Sequence, residues 1–204
     1  MTKQKGVFCL EGVWWGDLKR EPSIEPLLDL LDQLATPRRR HIYRDVGTVE
    51  EFEYYLRIWH QRRYRFHPIL YLAFHGVPGG LLVGDQRRKQ GVVSLDRIEQ
   101  LLTGKLAGKI IHFGACETLD IRTARLNRFL RATKALAVCG YKKEIGWTTS
   151  AALDLLLFQT MQLHPFTRPG AAEVRDRTLS QVGKLVQELG FHMQVSPSAP
   201  HSTL

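Results

Sequence analysis

Ile110-Ile-His-Phe-Gly-Ala-Cys116 is a short apolar run that ends in a thiol, and Ile69-Leu-Tyr-Leu-Ala-Phe-His75 is a similar run that ends in an imidazole. Both runs are rich in β-branched and aromatic residues and too short for an independent helix, which is typical of buried strands in a parallel sheet. Ligands of open α/β sheets bind outside the carboxyl ends of the strands. The two runs therefore predict that His75 and Cys116 share one cleft.

A histidine beside a cysteine is the arrangement that nucleophilic thiol chemistry requires. The thiolate is the attacking species, and a free thiol is mostly protonated at neutral pH unless a neighbouring group stabilises the anion. Gly76 follows the histidine and Gly114 lies two residues before the cysteine. Because glycine lets a substrate approach the backbone closely, we expect the N–H groups of Gly76 and Cys116 to form an oxyanion hole.

The rest of the chain alternates predicted strands with predicted helices. Further apolar runs predict strands at residues 6–10, 41–45 and 135–140. Helical spacing of apolar residues and capping signals predict helices at about residues 22–34, 48–59, 94–102, 120–129, 149–158 and 170–189. Between two of these elements, residues 77–93 predict a tight turn and a short hairpin. The alternation predicts an α/β three-layer sandwich, with a mostly parallel sheet of about six strands and helices on both faces.

Length and composition predict one soluble domain. The 204 residues are 44% apolar, which is enough for one substantial core, and no linker divides them. We expect this domain to span residues 1–194 and a disordered tail to span residues 195–204. Three cysteines argue against a disulfide framework, and neither a signal peptide nor a membrane span is recognisable. A cytoplasmic location is the expectation.

Two short motifs carry a family resemblance. A strand ending in His-Gly, followed 41 residues later by one ending in Gly-Ala-Cys-Glu, resembles the caspase-like (clan CD) cysteine peptidases, including the CHAT branch that contains separase. The spacing is shorter than the roughly 50 residues of caspases and is similar to that of compact bacterial members. The resemblance covers roughly residues 66–163. It implies a caspase-like fold, Cys116 as nucleophile, His75 as general acid and base, and no cofactor.

The expected substrate follows from a departure from the caspase motif. Gly114 stands where caspases have a glutamine that helps to hold an acidic substrate side chain. The resemblance to the CHAT and separase branch favours instead a basic residue at P1, the position before the scissile bond. Glu11 and Asp17 after the first strand and Glu144 after the fifth would bind it by charge-assisted pairing. The alternative is that Glu11 and Asp17 are merely solvated loop residues.

Other side chains of the same types have structural interpretations. Cys9 and Cys139 lie inside apolar runs and are expected to be small buried hydrophobes. We interpret His112 as a hydrogen-bonded core or surface histidine. Trp14 and Trp15 either line a subsite or cover the core. A metal site is not predicted, because neither Cys-x-x-Cys nor His-Glu-x-x-His spacing occurs.

The formal net charge of +9 leaves a second function open. Arginine-rich blocks at residues 38–40, 62–65 and 87–89 are typical of a solvated face, but such blocks also bind acidic partners. One hypothesis is therefore a cysteine endopeptidase that acts on a protein or peptide substrate. The alternative is a catalytically weak or inactive module that recruits an acidic protein or a nucleic-acid partner. Nucleic acid is the less favoured partner, because no stacking aromatic pattern accompanies the arginines.

The resemblance also implies a setting for the activity. Compact bacterial caspase-like proteins often belong to antiviral defence or regulated cell-death systems, in which a separate sensor releases the peptidase. We therefore expect a regulatory protein partner or sensor, and no membrane partner.

Overall fold

The computed structural model describes residues 5–14, 19, 22–33, 41–84 and 91–197. Six strands of these ranges form one sheet: β1 (Val7–Glu11), β2 (Ile42–Asp45), β3 (Ile69–Ala73), β7 (Ile110–Gly114), β8 (Ala137–Tyr141) and β9 (Phe191–Val195). Their order is β2-β1-β3-β7-β8-β9, and every neighbouring pair is parallel except β8 with β9. Three shorter strands form an antiparallel sheet: β4 (His75–Val77), β5 (Gly80–Leu82) and β6 (Val92–Ser94).

Helices cover both faces of the large sheet. The described helices are α1 (Glu25–Gln33), α2 (Val49–Trp59), α3 (Leu95–Leu102), α4 (Thr123–Thr133), α5 (Trp147–Leu163), α6 (Arg168–Val182) and α7 (Lys184–Leu189). Helices α2, α3 and α4 pack their apolar faces into one core, and α1, α5, α6 and α7 pack into the other. The predicted α/β three-layer sandwich with a mostly parallel sheet of six strands is confirmed.

The pleat of the central strands explains why they read as continuous apolar runs. Leu70 and Leu72 of β3 lie in one core, whereas Tyr71 and Ala73 lie in the other. Alternate residues of a strand point to opposite faces, so a strand with helices on both sides needs apolar residues at every position. All five residues of β3 are buried.

The last strand is the element that the sequence prediction missed. In β9 the buried residues Phe191, Met193 and Val195 alternate with half-buried His192 and Gln194, which is the pattern of an edge strand. Val195, which was predicted to begin the disordered tail, is the last residue of this strand. Residues 198–204 lie outside the described residues.

Helix boundaries also differ from the predictions. The predicted helix over residues 170–189 is two helices, because Gly183 has a left-handed φ of 51° between them. Helix α5 begins at Trp147 with Gly146 as its N-cap, two residues before the predicted start at Thr149. Helix α4 begins at Thr123, three residues after the predicted start at residue 120, and Arg122 is its N-cap. In the described part of the chain, no helix has the length and hydropathy needed to cross a bilayer.

Candidate active site

The register of β3 and β7 places His75 and Cys116 at the same edge of the sheet. These strands are parallel neighbours, and Ala73 of β3 pairs with Gly114 of β7. His75 and Cys116 each lie two residues beyond that pair. Because paired positions of parallel strands advance together, equal offsets bring the imidazole and the thiol to one rim.

The segments that carry the two side chains touch. A Cβ atom added to Gly76 would lie 2.1 Å from the carbonyl oxygen of Cys116 and 2.5 Å from Oγ1 of Thr118. The buried Thr118 hydroxyl donates to the carbonyl of Gly80 at 3.3 Å, and the N–H of Gly79 donates to the Thr118 carbonyl at 3.1 Å. The small sheet therefore packs directly on the loop that follows the cysteine, and only glycine fits at position 76.

Both side chains line one cavity. It has a volume of about 100 Å³ and is bounded by residues of β3, β4, β7 and α5 and of the loops after β1, β3 and β7 and before α1 and α5. The lining residues are Trp14, Ile24, Tyr71, Phe74, His75, Gly114, Cys116, Ile145, Trp147, Ser150 and Asp154. Cys116 and His75 are both half-buried, whereas Cys9 and Cys139 are fully buried in the core, as predicted.

A main-chain carbonyl sets the tautomer of His75. Its Nε2 lies 2.6 Å from the carbonyl oxygen of Trp14. Because a carbonyl only accepts, Nε2 carries the hydrogen, and the lone pair of the neutral ring is on Nδ1. The Trp14 indole packs edge-on against the imidazole, with ring centroids 5.3 Å apart, and also against Trp147 at 4.8 Å. The imidazole is thus held in one orientation.

Glu11 supports this arrangement and does not face the cavity. Its side chain is 2% exposed. The carboxylate accepts hydrogen bonds from the Trp14 indole, the Ser23 hydroxyl at 2.7 Å, the Tyr43 hydroxyl at 2.7 Å and the Ile24 N–H at 2.9 Å. The sequence suggested that Glu11 either binds substrate or is a solvated loop residue. The buried, fully hydrogen-bonded carboxylate fits neither interpretation. It anchors the loop whose carbonyl orients His75.

Of the other two acidic residues predicted to bind substrate, the structure describes Glu144. Glu144 is exposed and is not one of the lining residues. Asp17 lies outside the described residues, as does Trp15. Trp14 and Trp147 do line the cavity, which agrees with the subsite interpretation of Trp14.

Among the described residues, Asp154 is the acidic side chain that lines the cavity, and it was not predicted from the sequence. It lies on α5, is 1% exposed, and accepts hydrogen bonds from the Tyr71 and Tyr141 hydroxyls. His112 Nε2 donates to its Oδ1 at 2.6 Å. The available signal was a single carboxylate inside the apolar run Ala151–Phe158, since a charge on the buried face of a helix requires partners.

The environment of Asp154 fixes the protons around it. Burial alone would lower the pKa of His112, but the charge of Asp154 and the neighbouring Cys139 raise it to about 10. Burial and then Asp154 raise the pKa of Tyr71 and of Tyr141 well above the usual value. Both tyrosines therefore stay protonated donors, and His112 is a cation paired with Asp154. His112 was predicted to be a hydrogen-bonded core or surface histidine, and the structure places it in the core.

A hairpin and a tight turn lie on either side of Cys116. The Val77–Gly80 pair closes a two-residue turn in β4 and β5, and Gly76 pairs with Leu81. Hydrogen-bonded and non-bonded pairs alternate along an antiparallel ladder, so the Gly76 N–H points away from β5. Glu117, directly after the cysteine, has a strained φ of 53° and donates its N–H to the carbonyl of Lys143 at 3.1 Å. The turn after the thiol is thereby fixed.

Two further sequence features can be located. Arg62, Arg63 and Arg65 are exposed, and the guanidinium groups of Arg63 and Arg65 lie over the rings of the adjacent Tyr64 and Phe66. Residues 38–40 and 87–89 lie outside the described residues. Within the described ranges, no group of three or more His, Cys, Asp or Glu side chains is arranged to hold a metal ion.

Comparison with known proteins gives a family without an assigned chemistry. The matching family model covers residues 4–194 and is described as a family of unknown function, DUF6642. No curated protein matches the sequence.

Proposed function

This chain belongs to the DUF6642 family, whose description names no activity, and we propose that it is a caspase-like cysteine endopeptidase using a dyad of Cys116 and His75. One observation carries the proposal. The thiol and the imidazole follow a paired position of two adjacent parallel strands at equal offsets, and both line the same cavity.

The chemistry follows from the tautomer of His75. Its Nδ1 takes the proton of the Cys116 thiol, and the thiolate attacks the carbonyl carbon of a peptide bond. The tetrahedral intermediate collapses, the imidazolium returns its proton to the departing amine, and a thioester remains on the sulfur. A water molecule, deprotonated by the same nitrogen, then attacks the thioester, which releases the carboxylic acid and restores the thiol.

Backbone N–H groups stabilise the charge that develops on the substrate oxygen. The Gly76 N–H points away from its own hairpin, and Gly76 lies against the backbone of Cys116. Together with the N–H of Cys116 it forms an oxyanion hole whose donors are fixed before substrate binds. Loss of one such donor typically costs about 100- to 1000-fold in kcat.

The test is hydrolysis of a peptide library that varies the P1 residue, with wild-type protein, Cys116→Ala and Cys139→Ala. We expect cleavage by wild type and by Cys139→Ala, and none by Cys116→Ala. Equal hydrolysis by Cys116→Ala, or no hydrolysis of any member by the folded wild-type protein, would contradict the proposal. Circular dichroism of all three proteins shows whether each is folded.

A further inference from the structure

We propose that the cavity beside Cys116 is the P1 subsite and that it selects an uncharged, apolar side chain. This inference rests on the proposed peptidase function. It replaces the expectation of a basic P1 residue, since the acidic groups that supported that expectation either anchor a loop, lie outside the cavity or lie outside the described residues.

The described residues that form the walls of the cavity are apolar. Aromatic and aliphatic side chains surround the opening beside the sulfur, namely Trp14, Ile24, Phe74, Ile145 and Trp147. Trp14 and Trp147 pack edge to face, and Trp14 also packs on His75. A side chain that enters beside Cys116 therefore exchanges water for hydrocarbon on most of its surface.

The polar side chains that line the floor already have hydrogen-bond partners inside the protein. The Ser150 hydroxyl donates to the Trp147 carbonyl at 3.0 Å, and the Tyr71 hydroxyl donates to Asp154 at 2.6 Å. Asp154 also accepts from His112 and Tyr141, so three donors surround its two oxygens. A hydrogen-bonding P1 side chain would have to compete with these internal partners.

Among the residues that the structure describes, those of the floor carry no net charge to offer a cation. Asp154 and His112 lie 2.6 Å apart and are both fully buried, so the negative charge has its own counter-ion inside the protein. A lysine or arginine entering the cavity would lose its hydration and meet a neutral ion pair. Aromatic faces attract cations, but this attraction is small beside the cost of burying an unpaired charge.

The size of the cavity also restricts the side chain. A dry apolar cavity of roughly 150 Å³ holds a molecule the size of benzene. The cavity of about 100 Å³ therefore suits a leucine or methionine side chain and is too small for tryptophan.

The experiment uses peptides that differ only at P1, with Leu, Met, Trp, Gln, Lys, Arg or Asp there. For wild-type protein we expect kcat/KM for Leu or Met to exceed that for Lys, Arg and Trp by at least about 10-fold. His112→Gln keeps a donor to Asp154 but removes the counter-ion. It should therefore raise the Arg-to-Leu ratio of kcat/KM by about 10-fold or more. Asp154→Asn is the matched control, and in it Leu should remain preferred over Arg.

Each outcome decides the inference. Preference of wild type for Lys or Arg, lost in Asp154→Asn, would overturn the apolar assignment while leaving the peptidase intact. If His112→Gln fails to fold, the wild type and Asp154→Asn alone decide between these two results. Alkylation of Cys116 by otherwise identical leucyl and arginyl chloromethyl ketones tests the same subsite without turnover. Absence of both cleavage and selective alkylation of Cys116 would overturn the peptidase function, and the subsite with it.

Discussion

The imidazole of His75 donates its Nε2 hydrogen to the main-chain carbonyl of Trp14 across 2.6 Å. In serine proteases a buried carboxylate performs this task, holding the ring and stabilising the imidazolium. Here the orienting group is a neutral carbonyl, which holds the ring by a hydrogen bond and adds no formal charge. The position of that carbonyl depends on the loop that Glu11 anchors. The Glu11 carboxylate therefore positions the imidazole indirectly, by holding the backbone of Trp14.

Replacement of Glu11 by glutamine should lower kcat and leave KM nearly unchanged for substrates with any P1 residue. Glutamine cannot accept all four hydrogen bonds, so the loop and the Trp14 carbonyl shift. A displacement of about 1 Å in a catalytic group can cost about 100-fold, and a 10- to 100-fold fall in kcat is expected. Steady-state kinetics with Leu and Arg peptides measures both constants.

Glu144→Gln is the matched control for this prediction, because Glu144 is an exposed carboxylate that does not line the cavity. It should leave both kinetic constants near the wild-type values. A rise in KM confined to basic substrates in either variant would instead show that these carboxylates bind the P1 side chain.

Cys116 should react with iodoacetamide much faster than the other two cysteines. Cys9 and Cys139 have 0% exposure, and burial raises the pKa of the Cys9 thiol well above its ordinary value. Cys116 is half-buried in an open cavity with an imidazole. Mass spectrometry of the native protein over time should therefore show one label, at Cys116, before any other.

The same labelling separates the peptidase from an inactive binding module of the same fold. Pre-treatment with iodoacetamide should abolish hydrolysis in parallel with modification of Cys116. The dyad loses support if all three cysteines react at similar rates, or if modification of Cys116 leaves hydrolysis intact.

The elements with a local sequence pattern could be predicted. β3 and β7 are buried on both faces, so their apolar runs identified them and the residues at their ends. The role of the Trp14 carbonyl was not predictable, because every residue carries a carbonyl and only the fold selects this one. Glu11 looked like a loop carboxylate because its four partners are distributed from residue 14 to residue 43.

Asp154 and β9 were not predicted from the sequence, for different reasons. The carboxylate of Asp154 lies in an otherwise apolar stretch of α5, and its partners Tyr71, His112 and Tyr141 come from three separate strands. Pairings across such distances leave no local pattern. β9 is a short strand at the sheet edge that follows a helical turn ending at Gly190, so its alternation had too few residues to distinguish it from a tail.

Gly76→Ala should lower the rate of hydrolysis by more than its loss of folding stability accounts for. The new methyl group would meet the Cys116 carbonyl oxygen at 2.1 Å, so the two backbones that we propose as the oxyanion hole must separate. We expect at least a roughly 100-fold loss of kcat/KM, the typical cost of a lost oxyanion donor. Unfolding in urea should show a loss of roughly 1–3 kcal/mol, the usual cost of overpacking.

Gly108→Ala provides the comparison, because Gly108 has a φ of 74° and nothing within 4 Å of an added Cβ. Alanine there is strained by about 1–2 kcal/mol but touches no part of the site. Its kcat/KM should match wild type at temperatures where both are folded. Equal activity losses in the two glycine variants would mean that Gly76 acts only through stability.

Lys109 gives the fold a pH dependence of predictable sign. Its ammonium group is buried, donates to the Trp59 carbonyl at 3.1 Å and lies 4.2 Å from the centre of the Trp59 ring. Burial lowers its pKa from 10.5 to about 8. Below pH 8 the lysine is charged in both the folded and unfolded states, and folding bears the full cost of burying the charge.

Between about pH 8 and pH 10.5 the unfolded chain binds more protons at Lys109 than the folded protein, so this residue makes stability rise with pH. Lys109→Met removes that contribution. The free energy of unfolding of both proteins is measured in urea. The wild-type value minus the Lys109→Met value should rise by about 1–3 kcal/mol between pH 7 and pH 10. The difference in free energy of unfolding between the two proteins at pH 7 also includes the lost hydrogen bond to Trp59. The change of that difference with pH does not include it. Parallel stability curves for the two proteins would show that the ammonium group is solvated.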